Sequence, residues 1–534
     1  MAFALALAPA TLVLLVIVVV GAALQAATQE RKKRKQQQCV PKRVSSKGRG
    51  GGAGGAGGAG GDDLEIARPT TAPGPTPLPV IGNIHNMAKY AECPYEGFSA
   101  LGRKYGNVYK LYIGGSPAIV VGDYDGLKEV LVTKGNVFDA RPNFLRFREY
   151  FGGNRDLSLA LCDYSELHKK RISLVRSYLT FRGTESSFLE RFEDNIASEM
   201  PTLTDNIDQV LNKPVKTKEL LSYCAMNIFS GYMCSKKFDY GNQTFQKFVR
   251  DFDFIFEDIN NGHVTDSLPW LAPFFGSYFN TIKGVTKNVR EFILETVFNE
   301  KYRQFQEDPQ NVSDLVDACF AIMHRDDKDE KWDWETILYI VEDLLGGSSA
   351  ISNIVMRFLG FILINPGAIE KLHEEIDANI GRDQAPTLSD RSNMNYSRAV
   401  LYEVLRMTSS PIVPHVATQD ATIGGYYVEK GSTIILNNYE MNMNPDLWDE
   451  PQKFMPERFI VDGKLKKPAH FIPFSTGKRS CVGYKVVMDI TFFVTTTLLQ
   501  RYDIRLPQGV TPDLPKGKIS LTWDSFEMIF SPRK

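Results

Sequence analysis

The sequence has few cysteines, and no two of them stand at the spacing of a metal site. Seven cysteines are spread over 534 residues, their number is odd, and no C-x-x-C pair occurs. This pattern disfavours both a disulfide framework and a cysteine-built zinc site, and it favours a reducing compartment. The cysteines are Cys39, Cys93, Cys162, Cys224, Cys234, Cys319 and Cys481.

The chain also lacks an excess of charge of either sign. Its 62 basic and 63 acidic residues leave a net charge of −1, which gives no reason to expect nucleic-acid binding. There is no regular βαβ alternation and no internal repeat, so a dinucleotide-binding domain is disfavoured. Apolar residues make up 43% of the chain, enough for a large core that forms one enzyme domain or two to three smaller ones.

Charge is absent from the N-terminus. Residues 2–27 carry none, and as a helix they would span about 39 Å, more than the roughly 30 Å thickness of the hydrocarbon core. The basic run Arg31–Lys35 follows this stretch, and no basic residue precedes it. We therefore predict that residues 1–28 are a transmembrane signal anchor with the rest of the chain in the cytosol. A cleaved signal peptide is the alternative.

Residues 29–69 are first basic and then glycine-rich, a composition that cannot pack and predicts a flexible linker. Four alternate prolines between Pro73 and Pro79 then hold the backbone extended. They form either a stiff strut before the globular part or a generic linker. Residues 70–534 are predicted to be the catalytic domain.

Beyond residue 80 the chain is mostly helical by its apolar pattern, with long helical segments at 248–261 and 336–364. Short β-branched runs predict strands. The four runs are Val108–Ile113, Ala118–Val121, Ala421–Val428 and Thr433–Leu436. The fold class is therefore mainly α with small β-sheets. Gly346 and Gly347 interrupt the second long helix, which suggests that something bulky lies against them.

The irregular stretch at 471–485 is predicted to be a tight loop that ends at Cys481, with a helix from Val482 onward. Gly477 and Gly483 would let the backbone approach a ligand, and Arg479 and the helix start would stabilise a thiolate. A lone thiolate suits the axial position of a haem iron. An inert buried cysteine is the alternative.

Together with Phe474, these residues spell F-x-x-G-x-R-x-C-x-G, and the region from residue 70 onward resembles the cytochrome P450 family. Glu403 and Arg406 match the E-x-x-R pair of that family, and Arg458 matches the third member of its structural triad. The resemblance implies a P450 fold, haem b with Cys481 as the iron ligand, and a contact of His415 with a haem propionate. It also implies electrons that come from NADPH through a flavoprotein reductase.

Two departures from the family pattern stand out. Where the family has W-x-x-x-R, this chain has Tyr164 and His168, which can still donate to a propionate. A surface histidine is the alternative for His168. On the long helix the family's acid and threonine are replaced by Ser349 and Ala350, which follow the two glycines. These are altered proton-relay positions, because alanine cannot donate a hydrogen bond.

Within the family, the chain resembles the insect Spook/Spookier group of ecdysteroid-synthesis enzymes. This resemblance implies a monooxygenase of the endoplasmic reticulum that acts on an early dehydrocholesterol-derived sterol. An isomerase or dehydratase that needs no dioxygen, and a haem protein that binds sterol without turnover, are the alternatives. An apolar set would suit a roof over a sterol, or else ordinary core and membrane-dipping surface. The set comprises Phe252, Phe254, Phe256, Trp270, Leu271 and Phe274.

Overall fold

The structure is a computed structural model that describes residues 70–180, 187–324, 332–514 and 526–534. The predicted anchor at 1–28 and linker at 29–69 lie outside these ranges. The α-helices, numbered in chain order, are α1 Ile84–Met87, α2 Pro94–Tyr105, α3 Tyr124–Lys128, α4 Leu145–Tyr150, α5 Glu166–Thr180, α6 Ser187–Ala197, α7 Met200–Asp208, α8 Lys218–Cys234, α9 Gln243–Asn260, α10 Val264–Ser267, α11 Gly276–Ile293, α12 Asn299–Glu307, α13 Leu315–Met323, α14 Trp334–Leu363, α15 Pro366–Asn379, α16 Asn395–Thr408, α17 Asn438–Met443 and α18 Tyr484–Arg501.

The strands form four small sheets. They are β1 Val108–Ile113, β2 Ser116–Val121, β3 Val215–Lys216, β4 His415–Val416, β5 Ala421–Ile423, β6 Tyr426–Val428, β7 Thr433–Leu436, β8 Ile460–Val461, β9 Lys464–Leu465, β10 Tyr502–Arg505 and β11 Glu527–Pro532. The largest sheet has the order β1-β2-β7-β4, in which β2 and β7 are parallel and the other pairs are antiparallel. The chain is therefore mainly helical with small sheets, as the sequence predicts.

Helix α14 runs through the core. The Asp333 side chain caps its first turn by accepting a hydrogen bond from the backbone N–H of Thr336. Helix α14 packs against α8, α9, α16 and α18. It is long and apolar enough to span a membrane, but 83% of its most apolar window is buried, so it is a core helix.

Between its end residues, from Thr336 to Ile362, α14 has four partly accessible positions, namely Asp343, Gly346, Gly347 and Ala350. Residues three, four and seven apart lie on one face of a helix. The four positions therefore form a single stripe, and we call it the accessible stripe. Three of its members have little or no side chain, so neighbouring groups can come close to the helix backbone on this face.

Most predicted elements are confirmed, with two corrections. The run 421–428 is a hairpin of two strands, because Gly424 and Gly425 adopt φ values of +56° and +81° and turn the chain. The helix after Cys481 begins at Tyr484 instead of Val482.

The proline segment is docked on the first sheet. The backbone N–H of Lys110 donates to the carbonyl of Pro73, and a Cβ at Gly74 would come within 2.0 Å of the Lys110 carbonyl oxygen. The Asn83 amide group donates to the carbonyls of Pro75 and Thr76. These contacts favour a fixed strut over a generic linker.

Candidate functional site: a thiol, a cationic cluster and a small-residue helix face

The Cys481 loop is held by a close backbone approach. Gly477 has a φ of +75°, and a Cβ there would come within 2.0 Å of the Leu131 carbonyl oxygen, so only glycine fits without a shift of the backbone. The backbone N–H of Cys481 donates to the Phe474 carbonyl at 3.0 Å. At Gly483 a Cβ would meet no described atom within 4 Å. The backbone conformation of the loop therefore requires glycine at position 477.

The Cys481 thiol is reachable by solvent although protein surrounds much of it. Burial raises its pKa, and a hydrogen bond from the backbone N–H of Gly483 opposes this rise. The predicted help from Arg479 is wrong, because that guanidinium is directed to the carbonyls of Ala160 and Cys162, at 3.0 and 2.8 Å. The protein alone thus disfavours the thiolate, and a bound metal cation would supply the missing stabilisation.

Arg479 belongs instead to a cluster with Arg141, His168 and His415, which we call the cationic cluster. The Arg479 guanidinium lies 3.4 Å from Nε2 of His168. Arg141 donates to the carbonyls at 413 and 414 and so reaches the strand that carries His415. Sequence reasoning missed Arg141, which belongs to no motif and enters the cluster only through tertiary structure.

Burial and the neighbouring arginines lower the pKa values of groups in the cationic cluster. Burial and the nearby Arg479 lower the pKa of His168 to about 4, and burial with Arg141 and Arg479 holds the pKa of His415 well below its usual value. Burial and Arg479 also lower the pKa of Arg141. Such a concentration of like charges calls for an anionic partner.

Each histidine has one ring nitrogen without a partner. His168 Nε2 is 3.0 Å from the Leu159 carbonyl, and His415 Nδ1 bonds the Phe138 carbonyl, so these nitrogens carry hydrogen. His168 Nδ1 and His415 Nε2 are buried and have no hydrogen-bond partner among the described residues. The surface-histidine alternative is therefore wrong, since His168 is only 4% exposed. Tyr164 packs its ring on His168 at 5.4 Å and under the Lys478 ammonium group.

The five small residues of α14 at positions 346–350 differ in exposure. Gly346, Gly347 and Ala350 belong to the accessible stripe, whereas Ser348 and Ser349 are buried. A Cβ at Gly346 would lie 3.3 Å from the Phe252 ring, so the helix is approached closely there. Burial raises the pKa of Asp253 on α9, and the nearby Lys218 and Ser349 oppose this rise.

Glu403, Arg406 and Arg458 form a buried ion triad. The Glu403 carboxylate accepts two hydrogen bonds from Arg406 at 2.7 Å and one from Arg458 at 3.2 Å. The Arg406 guanidinium also donates to the carbonyls of Asn442 and Pro451, and that of Arg458 donates to the carbonyl of Asp449. The charged groups of the triad therefore find their hydrogen-bond partners in each other and in the protein backbone.

The residues present fit the haem that the family resemblance implies. Cys481 offers a thiol that needs a cation, and the guanidinium groups of Arg141 and Arg479 in the cationic cluster need an anion. A haem presents both, with an iron and two carboxylates. The accessible stripe supplies a helix face without bulky side chains.

Comparison with known proteins places this arrangement in a family. The family model described as Cytochrome P450 matches residues 72–530. Cytochrome P450 307a1 of Drosophila melanogaster is 37% identical, over 87% of this chain and 90% of that protein. Farnesoate epoxidase of Bombyx mori is 29% identical over 86% of this chain and 94% of its own length. Steroid 17-alpha-hydroxylase/17,20 lyase of Peromyscus leucopus is 27% identical, over 86% of this chain and 91% of its own.

These similarities confirm the resemblance seen in the sequence, including its insect group. They imply a thiolate-ligated haem iron as cofactor and a reductase as electron source. The chain belongs to the cytochrome P450 family and is a haem-thiolate monooxygenase.

Proposed function

We propose that this P450 oxidises an early dehydrocholesterol-derived sterol on the route to ecdysteroid hormones. The observation that carries the proposal is the 37% identity to the insect P450 307a1 over most of both chains. The alanine at position 350, in the accessible stripe, supports a specialised reaction, because it removes the hydroxyl that the family pattern places there.

The roles of the site residues follow from their chemistry. When bound, a thiolate-ligated haem supplies the activation of dioxygen with electrons from a flavoprotein reductase that uses NADPH. Cys481 is the iron ligand, and Arg479, His168, His415 and Tyr164 contact the propionates. Three further motif positions pack around the cofactor: Phe474, Gly477 and Gly483. Glu403, Arg406 and Arg458 are structural.

The substrate lies beside the accessible stripe. Gly346, Gly347 and Ala350 leave room for a rigid, bulky ligand. Phe252, whose ring would lie 3.3 Å from a Cβ at Gly346, and Phe256, one turn later on the same face of α9, form an apolar wall. Phe254 lies on another face of that helix. The fused rings of a sterol would cover these apolar surfaces. A hydroxyl on the sterol takes part in proton transfer near Ala350.

The enzyme is a single-pass protein of the endoplasmic reticulum membrane, with residues 70–534 as its cytosolic catalytic domain. The uncharged stretch at 2–27 followed by Arg31–Lys35 supports this placement. Trp270 and Phe274 are 44% and 70% exposed on the short helix at 269–275, an apolar surface that suits contact with lipid. A glycosylation tag after Lys534 tests the topology, since its modification would place the domain in the lumen.

Spectral titration of the purified haem protein with a sterol panel tests the substrate. We expect dehydrocholesterol-derived sterols to shift the Soret band at the lowest concentrations. Farnesoate is the matched control ligand, because a relative is named farnesoate epoxidase. Saturable shifts with farnesoate and none with any sterol would contradict the proposal. With the best sterol, labelled dioxygen and the reductase then show whether the oxygen atom enters the product.

The Ala350→Thr variant tests the idea that the substrate assists its own reaction. The added hydroxyl would compete for the space of the sterol oxygen, so we expect no gain in product formed per NADPH consumed. A several-fold gain in coupled turnover would contradict a substrate-assisted step while leaving the sterol class intact.

A further inference from the structure

A short backbone segment at 158–162, between the short helix at 155–157 and α5, holds the donors of the cationic cluster. The Leu159 carbonyl accepts a hydrogen bond from Nε2 of His168 at 3.0 Å. The Ala160 carbonyl accepts from both arginines of the cluster, at 3.2 and 3.0 Å. The direction in which these two carbonyls point therefore sets the orientation of three members of the cluster.

The Ser158 hydroxyl fixes the peptide groups that carry these carbonyls. It accepts hydrogen bonds from the backbone N–H groups of Ala160 at 3.1 Å and Leu161 at 3.0 Å. The first N–H shares a peptide group with the Leu159 carbonyl, and the second shares one with the Ala160 carbonyl. Both lone pairs of the hydroxyl are thus occupied, so its single hydrogen is donated to Oδ2 of Asp343, at 3.0 Å.

Asp343 anchors the segment to α14. Its Oδ2 atom also accepts a hydrogen bond from the backbone N–H of Leu159 at 2.5 Å. Burial raises the pKa of this carboxyl to about 6, and the hydrogen bonds from Leu159 and Ser158 oppose the rise, so the group is mostly ionised at pH 7. Asp343 belongs to the accessible stripe, one turn before Gly346. Helix α14 therefore places a negative charge next to the segment that orients the cluster.

A continuous chain of hydrogen bonds joins this charge to one of the histidines. It runs from the Asp343 carboxylate through the Ser158 hydroxyl and the peptide group of residues 159 and 160 to the His168 ring. Hydrogen bonds in such a chain polarise one another, so a negative charge at one end favours a proton on the ring at the other. A carboxylate ligand at Nδ1 of His168 needs that proton, because the Nε2 hydrogen is already committed.

We propose that Asp343 is a positioning residue for the haem carboxylates, acting on the cationic cluster through Ser158 and the carbonyls at 159 and 160. It orients the donors of the cluster and favours the protonated form of His168 that holds a carboxylate. The inference rests on the proposed contact of His168 with a propionate, but not on which sterol is oxidised.

The rate of haem release from the holoprotein to an excess of a haem-free acceptor protein tests the role of Asp343. Asp343→Asn keeps the shape of the side chain and removes its charge, and we expect about tenfold faster release. Most of this effect should disappear in a protein that already carries His168→Gln, because the chain ends at that ring. An effect of equal size with and without the His168 ring would overturn the proposal.

Glu342→Gln is the matched control for the loss of a carboxylate from α14. Glu342 is the neighbouring buried residue of the same helix, and it pairs with Arg290 at 2.8 Å. Any change in the release rate that Glu342→Gln causes through stability should be the same with and without the His168 ring.

Resonance Raman spectroscopy of the holoprotein supplies a second readout, since the propionate bending band responds to hydrogen bonds at the haem carboxylates. We expect Asp343→Asn and Ser158→Ala to shift this band in the same direction as His168→Gln, and Glu342→Gln to leave it in place. Ser158→Ala interrupts the chain without removing a charge, so it tests the same path by a milder change. A band that stays in place in both Asp343→Asn and Ser158→Ala would overturn the proposal.

The proposed contact and the role of Asp343 fail in different ways. If His168→Gln changed neither the release rate nor the band, the contact with the propionate would be wrong, and the role of Asp343 would fall with it. If His168→Gln changed both and Asp343→Asn changed neither, only the role of Asp343 would be wrong. Neither measurement needs a sterol, so the substrate class does not affect the outcome.

Discussion

Two of the buried charge groups in the described residues, the Glu403 triad and the cationic cluster, differ in whether the protein neutralises them. In the Glu403 triad, one carboxylate and several backbone carbonyls satisfy two guanidinium groups. In the cationic cluster, Arg141 and Arg479 lie near two histidines that each keep an unpartnered nitrogen. The first group is complete without a ligand and the second is not.

Whether a buried charge has a partner within the protein distinguishes the structural role of the triad from the binding role of the cationic cluster. A buried charge without a partner is costly, so a folded protein keeps one where a ligand or a reaction uses it. The triad is expected to fix α16 against the segment at 449–458. The cationic cluster is expected to contribute to stability only when carboxylates are bound.

The largest expected effect comes from Cys481→Ser, which leaves both charge groups intact. Without a thiolate the reduced carbon-monoxide complex should lose its red-shifted Soret band completely. Cys93→Ser, on a cysteine far from the loop in sequence, should keep the band. A red-shifted band in Cys481→Ser would mean that another residue ligates the iron.

The second effect tests the completeness of the triad. Glu403→Gln keeps the shape of the side chain but leaves two guanidinium groups without their carboxylate, at a cost of roughly 3–5 kcal/mol in the free energy of unfolding. The matched control is Glu457→Gln in the exposed Lys371 pair, where about 0–1 kcal/mol is expected. Urea unfolding measures both. A stable, haem-loaded but inactive Glu403→Gln protein would point instead to a catalytic role.

The sequence motifs predict the loop, the triad and the long helix because each depends on a local pattern. The spacing of Glu403 and Arg406 places both on one face of α16, and Gly477 marks a backbone conformation that glycine favours. Arg141 has no such signal. Its role comes from contacts with the carbonyls at 413 and 414, which lie 272 and 273 residues away in the chain.

The sequence motif also does not predict the direction in which the Arg479 side chain points. Arg479 stands two residues before Cys481, so sequence alone favours an effect on the thiolate. The structure directs the guanidinium toward the carbonyls of Ala160 and Cys162 instead, because the short helix at 477–479 turns it away.

The third effect is a pH dependence of stability that originates in His168. An unfolded histidine protonates near pH 6.5, whereas the folded pKa of His168 is about 4. The unfolded state therefore binds more protons in this window, and stability falls as the pH drops from about 6.5 to about 4, by about 3 kcal/mol. Urea unfolding across this range should show a flatter profile for His168→Gln. Identical profiles would show that His168 is not held neutral by its surroundings.

The smallest effect concerns His415 and completes the comparison. Its Nδ1 hydrogen is committed to the Phe138 carbonyl, so Nε2 can donate to a propionate only when the ring takes up a proton. A carboxylate beside it favours that proton, and haem retention should strengthen as the pH falls through the range where the bound form titrates. His415→Leu removes a hydrogen bond to a charged group and should weaken haem binding by about 1.5–3 kcal/mol, which corresponds to about 10–100-fold faster haem release.

Transfer of haem to an excess of a haem-free acceptor protein measures the rate of haem release. His85→Leu, at an exposed position in helix α1, is the matched control and should release haem at the wild-type rate. If His415→Leu retained both the wild-type rate and its pH dependence, the cationic cluster would have to bind its anion through Arg141, His168 and Arg479 alone.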